Sequence, residues 1–361
     1  MRTAALRLAS LVTALTLAGC GFSLPGSVDK AAKADATPPA PERALGDYLH
    51  DLSPVIEGLT VDTAALEHVV MPTSDGITLD GWVRRPPGEG RFPLVLYFTP
   101  YYGGGDPTSP ANALGDPSLV LANFLIPRGY AVGFVSVRGT GNSSGCYTSG
   151  GVAERREMGE AIQQMAAQPW SNGNVGTIGV SFDGATSAEL FTEAPPALKT
   201  VVPIEAVTDY YRYGFNNGIL RFINGAYPTY YVPVSDLLPV GLEGGVGPTD
   251  PTGYLTRAVV GYVCPDQLAA QISSVFNVLT ADKTGFWIER DLPRIVRGTP
   301  GKPRPAMFYI QGHQDANVDN LMAEDWLEAV RATGVPLHIW FGQWVHEYAQ
   351  STDGTPCEAG K

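Results

Sequence analysis

The chain has 361 residues, of which 44% are hydrophobic and 17% charged, and its formal net charge is −12. This composition excludes a largely disordered chain, and the length fits one large α/β domain or two ordinary ones. Charges of both signs are scattered and no block of lysines or arginines occurs, which argues against nucleic acid as a partner.

The N-terminal residues predict export and a lipid anchor. Arg2 and Arg7 precede a short apolar segment that cannot cross a bilayer as a stable helix, and small residues precede Cys20. We expect a signal peptide over residues 1–19 and an extracytoplasmic protein held to the bacterial membrane only by a lipid on Cys20. An ordinary signal peptide that contains a cysteine is the alternative. Residues 20–46 are rich in Ala, Pro and Lys, which predicts a flexible tether.

Apolar segments and helical patterns alternate along the first half of the chain. We expect a core over residues 47–206, with two strands around a Ser-Asp-Gly turn in the first part of it. Further strands are predicted at 92–100, 130–139, 175–180 and 201–206, and helices at 152–167 and 185–192.

The pattern loosens over residues 207–304 and then resumes. That stretch is rich in Tyr, Gly, Pro and Asn and predicts a lid inserted into the fold, with some helix around 265–280. The second part of the core, 305–361, is predicted to contain strands at 306–312 and 336–342 around a helix over 318–333. Strands that alternate with helices favour an α/β fold with a mostly parallel sheet, helices on both faces and ligands at one sheet edge.

Ser181 lies in the segment GVSFDG, directly after a predicted buried strand and before a predicted helix. Strand, Gly-x-Ser, then helix is the context of a nucleophile elbow, in which the serine is lifted to the sheet edge. Asp183 occupies the usual position of the second glycine, and the glycine follows one residue later, at Gly184.

A serine hydroxyl needs a base, and the base needs a carboxylate that orients it. Asp315 and His346 each follow a predicted strand, in the chain order serine, acid, histidine. His313 is an alternative, as a base or a metal ligand with Asp315. Other candidates for the acid are Asp183, Asp319 and Glu347.

The sequence contains no metal-binding motif and few cysteines for disulfide bonds. No CxxC or HxxxH spacing occurs, and we expect neither a metal nor an organic cofactor. Cys146, Cys264 and Cys357 could form at most one disulfide bond among themselves, and the sequence does not select the pair.

Several segments, taken in chain order, resemble the X-Pro dipeptidyl-peptidase family of α/β-hydrolase serine hydrolases, which also holds cocaine-esterase-like enzymes. They are DGITLDGWVRRP (75–86), TPYYGGGD (99–106), VSVRGTGNSSG (135–145), QPWSNGNVGTIGVSFDG (168–184), GHQDANV (312–318) and GQWVHE (342–347). Members of this family commonly continue into a β-sandwich after the histidine loop, whereas this sequence ends at Lys361. We expect either that this domain is absent or that the sequence is a piece of a longer chain.

The resemblance implies a catalytic triad of Ser181, Asp315 and His346. It also implies an oxyanion hole made by the backbone N–H of Phe182 and the hydroxyl of Tyr101. Thr99 stands where the family has asparagine, and Tyr102 and the glycines at 103–105 are rival donors.

The substrate is expected to be a small peptide or an ester. Glu205 could bind the ammonium group of a peptide, and Tyr210 and Tyr211 could line a slot for proline; the alternative is that the tyrosines are lid core and that Glu205 pairs with an arginine. The leading hypothesis is removal of Xaa-Pro dipeptides from peptide N-termini. Hydrolysis of carboxylic esters or acyl amides is the second, and a non-catalytic lipid-anchored binding protein on a hydrolase scaffold is the third. The oligomeric state stays open.

Overall fold

The computed structural model describes residues 66–102, 118–216, 218–221 and 282–346. All of them belong to one compact unit, Ser53–Lys361. The predicted signal peptide, the tether with Cys20 and the expected helix at 265–280 lie outside the described residues.

Eight of the described strands form one sheet, and two short strands form a separate hairpin. The sheet strands are β1 (Leu66–Pro72), β2 (Thr78–Arg84), β3 (Phe92–Thr99), β4 (Ala131–Ser136), β5 (Ser171–Val180), β6 (Leu198–Ile204), β9 (Ala306–Gly312) and β10 (Leu337–Gly342), and the hairpin is β7 (Phe215–Asn216) with β8 (Ile219–Leu220).

The described α-helices include the three that the sequence predicts at 152–167, 185–192 and 318–333, together with four that it does not predict. They are α1 (Leu119–Leu125), α2 (Val152–Ala166), α3 (Phe182–Glu193), α4 (Tyr210–Gly214), α5 (Gly285–Ile288), α6 (Leu292–Arg297) and α7 (Leu321–Arg331). Helix α3 begins directly after Ser181 and strand β5 begins at Ser171, each earlier than the sequence suggests. None of the described helices has the length and apolarity needed to cross a membrane.

The order of strands in the sheet is β1-β2-β4-β3-β5-β6-β9-β10. The pairs from β4 to β10 are parallel, and β2 pairs antiparallel with both β1 and β4. Every residue of β4 is buried, because helices cover a parallel sheet on both faces. This arrangement confirms the predicted α/β fold and brings the carboxyl ends of β5, β6, β9 and β10 to one edge.

The predicted insertion lies between β6 and β9, which are neighbours in the sheet. Its two described ends meet at Lys283, whose Nζ lies 2.6 Å from Asp291 Oδ2 and 3.1 Å from Asp209 Oδ2. Burial, partly offset by the Lys283 charge, raises the pKa of Asp209 above its ordinary value. The Lys283 ammonium group, between two buried carboxylates, therefore joins the two described ends of the predicted insertion.

Candidate active site

Ser181 lies in the sharp turn between β5 and α3. Its backbone has φ 62 and ψ −121, a conformation that costs a non-glycine residue about 1–3 kcal/mol. The turn is held from the neighbouring strand, because Ser181 N donates to the carbonyl of Ile204 at 3.0 Å. A strained serine on a strand-to-helix turn is the geometry of a nucleophile elbow.

Two glycines let this turn pack closely on its surroundings. A Cβ at Gly179 would lie 2.3 Å from Asp183 Cβ, and a Cβ at Gly184 would lie 2.3 Å from the Ile204 carbonyl oxygen. The displaced glycine of the segment GVSFDG is therefore needed where helix α3 meets the end of β6.

Replacement of Gly184 by alanine is expected to destabilise the fold. The new methyl group would meet backbone atoms, which cannot rotate away, so we expect a cost of about 1–3 kcal/mol and a melting temperature lower by several degrees. Gly159→Ala is the control, because a Cβ there has its nearest neighbours at 3.9 Å, and a helix-interior alanine is favourable. Thermal unfolding of the two variants checks this, and an unchanged midpoint for Gly184→Ala would contradict it.

Asp315 and His346 are in direct contact. His346 Nδ1 lies 2.8 Å from Asp315 Oδ2, and the other carboxylate oxygen accepts backbone N–H groups from Asn317 and Val318, both at 2.8 Å. Asp315 is 4% exposed, whereas the His346 side chain is 23% exposed. The carboxylate is thus fixed by its own loop and leaves one oxygen to orient the imidazole.

The two loops that carry these residues are joined by backbone hydrogen bonds. His313 N donates to the Gly342 carbonyl at 2.8 Å, and Gln314 N donates to the Trp344 carbonyl at 3.1 Å. These bonds extend the β9–β10 pairing beyond the sheet and set the register between acid and histidine.

The contact between Glu205 and His346 shows that the histidine lies near the end of β6, the strand that pairs with β5 before Ser181. It is the first residue after β6, next to Ile204, whose carbonyl holds Ser181 N, and its Oε2 lies 3.3 Å from His346 Nδ1. In the described part of the chain no hydrogen bond joins the Ser181 hydroxyl to the His346 ring. Such contacts are often long until a substrate is bound.

Glu205 itself is fully buried, and its Oε1 accepts a hydrogen bond from Trp344 Nε1 at 2.8 Å. Its φ of 48 is left-handed. With one oxygen on Trp344 and the other beside His346, this carboxylate is better placed to act on the histidine than on a substrate amine. Burial raises the pKa of the neighbouring Tyr309 above its ordinary value, and the negative charges of Asp315 and Glu205 raise it further.

Glu205, Asp315 and His346 are also a set of metal-type ligands whose atoms lie within 4.8 Å of one another. A proton on His346 Nδ1 accounts for their spacing better than an ion does. The Nδ1 to Oδ2 distance of 2.8 Å is a hydrogen-bond length, whereas two ligands about 2.0–2.2 Å from one tetrahedral zinc ion lie farther apart.

The side chains of the two residues that carry the proposed oxyanion donors pack against each other beside the elbow. The ring of Tyr101 meets that of Phe182 edge-on, with centroids 6.2 Å apart, and Phe182 N belongs to the first turn of α3. The buried Thr99 hydroxyl accepts a hydrogen bond from Tyr101 N at 3.1 Å, which fixes the backbone of the segment that carries Tyr101. Burial raises the pKa of Asp183 well above its ordinary value.

The residues that the sequence offers as alternative oxyanion donors, bases or acids are less well placed for these roles. Tyr102 is 2% exposed and packs on Phe134, so it is less suited than Tyr101 to meet a substrate. The exposed His313 stacks on Phe341, with centroids 5.1 Å apart, while Asp315 faces His346. Asp319 pairs with Arg221, and Glu347 and the glycines at 103–105 lie outside the described residues.

The two predicted proline-slot tyrosines differ. Tyr210 is 1% exposed and its hydroxyl donates to the buried Glu189 at 2.8 Å, so the ring lies in the core rather than on an open wall. Tyr211 is half-buried and stacks on Phe215, with centroids 4.9 Å apart. Tyr211 as a lining residue stays a prediction.

Cys146 is disulfide-bonded, and the other two candidate cysteines lie outside the described residues.

A family model for the X-Pro dipeptidyl-peptidases (S15 family) matches residues 75–348. The chain belongs to this family. The match includes Ser181, Asp315 and His346 and confirms the resemblance that the sequence motifs indicate.

Among relatives, a putative Xaa-Pro dipeptidyl-peptidase from Streptomyces avermitilis is 28% identical over 72% of this chain and 38% of its own length. A putative serine esterase from Mycobacterium bovis is 32% identical over 34% of this chain and 21% of its own length. The solved structure of an α-amino acid ester hydrolase has a TM-score of 0.56 and 23% identity, and covers 78% of this chain and 48% of that one. The structural likeness shows the α/β-hydrolase fold. The chain spans less than two thirds of each of these relatives.

Proposed function

We propose that the chain is a serine hydrolase that removes Xaa-Pro dipeptides from peptide N-termini through an acyl-enzyme intermediate. The observation that carries this proposal is the 2.8 Å contact between His346 and Asp315 at the sheet edge that also presents Ser181. Membership of the X-Pro dipeptidyl-peptidase family supports the choice of substrate.

The proposed reaction uses three side chains in sequence. Ser181 Oγ attacks the carbonyl carbon after the proline while His346 Nε2 takes the hydroxyl proton, and Asp315 holds the Nδ1 proton and stabilises the imidazolium. The tetrahedral oxyanion accepts hydrogen bonds from Phe182 N and the Tyr101 hydroxyl. His346 then gives its proton to the leaving amine, and a water molecule, activated by the same histidine, releases the dipeptide and restores Ser181.

A second candidate is hydrolysis of carboxylic esters or acyl amides by the same residues. It is favoured by the relationship to the putative serine esterase from Mycobacterium bovis. Acyl transfer from an ester and from an amide needs the same nucleophile and oxyanion donors, so the two candidates differ in what binds the amine end of the substrate.

A matched pair of substrates separates the two candidates. We expect the chain to cleave an Ala-Pro anilide with a free amine about 10- to 100-fold better, in kcat/KM, than its N-acetylated form, because the acetyl group removes a charged hydrogen bond worth about 1.5–3 kcal/mol. Equal rates on both forms would contradict the dipeptidyl-peptidase proposal and favour the esterase. Release of the anilide is followed by absorbance, and a short-chain aryl ester is the positive control.

We further propose that the protein is exported and anchored through a lipid on Cys20. The support is the pair Arg2 and Arg7 before a short apolar segment, and the small residues that precede Cys20. This location would give the active site access to extracytoplasmic peptides.

A further inference from the structure

A buried carboxylate beside the proposed catalytic histidine has no role in a triad of serine, histidine and aspartate. Glu205 Oε2 lies 3.3 Å from His346 Nδ1, and Asp315 Oδ2 lies 2.8 Å from the same nitrogen. Both carboxylate side chains are fully buried. Two acids therefore face one ring nitrogen, where a single acid suffices for orientation.

The same glutamate also holds the loop that carries the histidine. Its Oε1 accepts from the indole N–H of Trp344, two residues before His346, and Trp344 is 1% exposed. Gly312, at the end of β9, makes room for this contact, because a Cβ there would lie 2.8 Å from Glu205 Oε1 and 2.4 Å from the Trp344 carbonyl oxygen. Glu205 thus contacts the histidine loop at two points.

The backbone of Glu205 is adapted to this placement. Its N–H donates to the Ile310 carbonyl at 2.9 Å, which continues the β6–β9 pairing, while its φ of 48 departs from the strand conformation. Left-handed backbone is uncommon for a glutamate and tends to occur at functional sites. The departure turns the side chain under the histidine loop.

We propose that Glu205 is a positioning residue that acts through His346. It holds the imidazole by way of Trp344 and supplies a second negative charge beside Nδ1 that stabilises the imidazolium formed during the reaction. This role rests on the proposed serine hydrolase function and deepens it.

The charged groups that face His346 set the expected pH dependence. Among the described residues they are Asp315, from the loop after β9, and Glu205, from the end of β6; the nearby phenol of Tyr309 is buried and donates to Gln311 at 2.9 Å. Loss of one of two negative charges makes the imidazolium easier to deprotonate. The acid limb of kcat/KM against pH, which requires a neutral histidine, should then move to lower pH.

The test is Glu205→Gln in the full chain, with Trp344→Phe as the matched control. The glutamine amide oxygen can still accept the Trp344 N–H, so this variant removes charge and keeps the loop contact, whereas Trp344→Phe removes the N–H and keeps the charge. We expect Glu205→Gln to lower kcat about tenfold with little change in KM and to shift the acid limb to lower pH. Trp344→Phe should leave that limb in place. An unshifted limb in Glu205→Gln would overturn the proposal, whether or not kcat falls, because a residue that only packs would not move it.

A second variant keeps the proposal testable if Glu205→Gln does not fold. In Asp315→Asn, we expect Glu205 to accept the hydrogen bond from His346 Nδ1–H in place of Asp315. The fall in kcat should then be no more than about 10²-fold, against about 10⁴-fold in an enzyme that has no second carboxylate beside the histidine. A loss near the larger value would overturn the proposal. If the chain is not a serine hydrolase, the wild-type protein will hydrolyse neither the anilide nor the ester, and this result is distinct from any effect of the variants. If the chain is an esterase and not a peptidase, the Glu205→Gln and Asp315→Asn tests can still be carried out on the ester.

Discussion

Ser181→Ala is expected to abolish hydrolysis of every substrate, with a loss of about 10⁶-fold in kcat, the scale at which a catalytic serine contributes in other serine hydrolases. Without Oγ the covalent acyl-enzyme cannot form, so we expect any residual rate to come from the oxyanion donors and substrate binding alone. Reaction with a fluorophosphonate should disappear in parallel, since Oγ displaces fluoride from phosphorus. The measurements are anilide or ester turnover and the mass of the labelled protein.

The matched control is Ser187→Ala, which makes the same change at a buried serine of helix α3, two turns away from the elbow. It should keep both turnover and labelling. If Ser181→Ala were still labelled at another residue, or still turned over substrate at a comparable rate, the assignment of the nucleophile would be wrong.

Tyr101→Phe is expected to lower kcat by about 10²- to 10³-fold, which corresponds to the 2.7–4 kcal/mol that one oxyanion donor contributes to the transition state. The ring would stay packed against Phe182, so the fold and KM should change little. In the proposed role the hydroxyl binds the oxyanion and not the ground-state carbonyl, so the loss should appear in kcat.

Tyr102→Phe is the control for this second prediction, since the neighbouring phenol lies in the cluster with Phe134 and is 2% exposed. Steady-state kinetics on one ester and one anilide check both variants. Equal effects of the two substitutions, or an effect of Tyr101→Phe confined to KM, would contradict the oxyanion role of Tyr101.

The sequence could predict the fold and the proximity of the proposed acid and histidine, because both depend on local patterns and on their place in the sheet. Apolar segments such as 175–180 identify buried strands, and in a parallel sheet the residues after successive strands must gather at one edge. Asp315 and His346 each follow such a strand, so their proximity follows from topology alone. The displaced Gly184 could also be anticipated as part of a tight turn, although its contact with Ile204 could not.

Contacts that depend on side-chain direction could not be predicted in this way. Glu205 lies near the end of the strand predicted at 201–206 and looks like a residue that could face a substrate, but the observed strand ends at Ile204 and the left-handed φ of Glu205 turns its side chain beneath the histidine loop. Tyr210 looks like part of an aromatic lid, but Asp209 caps helix α4 and the ring turns into the core towards Glu189. In both cases the local backbone conformation determines which residues the side chain contacts, and the spacing of residues in the sequence does not reveal that conformation.

The central claim is that Ser181, His346 and Asp315 act as one unit beside the oxyanion donors. The crystal structure of the fluorophosphonate adduct tests it most directly. We predict a bond from Ser181 Oγ to phosphorus, the phosphonyl oxygen about 2.7–3.1 Å from both Phe182 N and the Tyr101 hydroxyl, and His346 Nε2 within hydrogen-bonding reach of Oγ while Nδ1 stays on Asp315. An adduct on another residue, or a His346 ring that cannot reach Oγ in the adduct, would contradict the account.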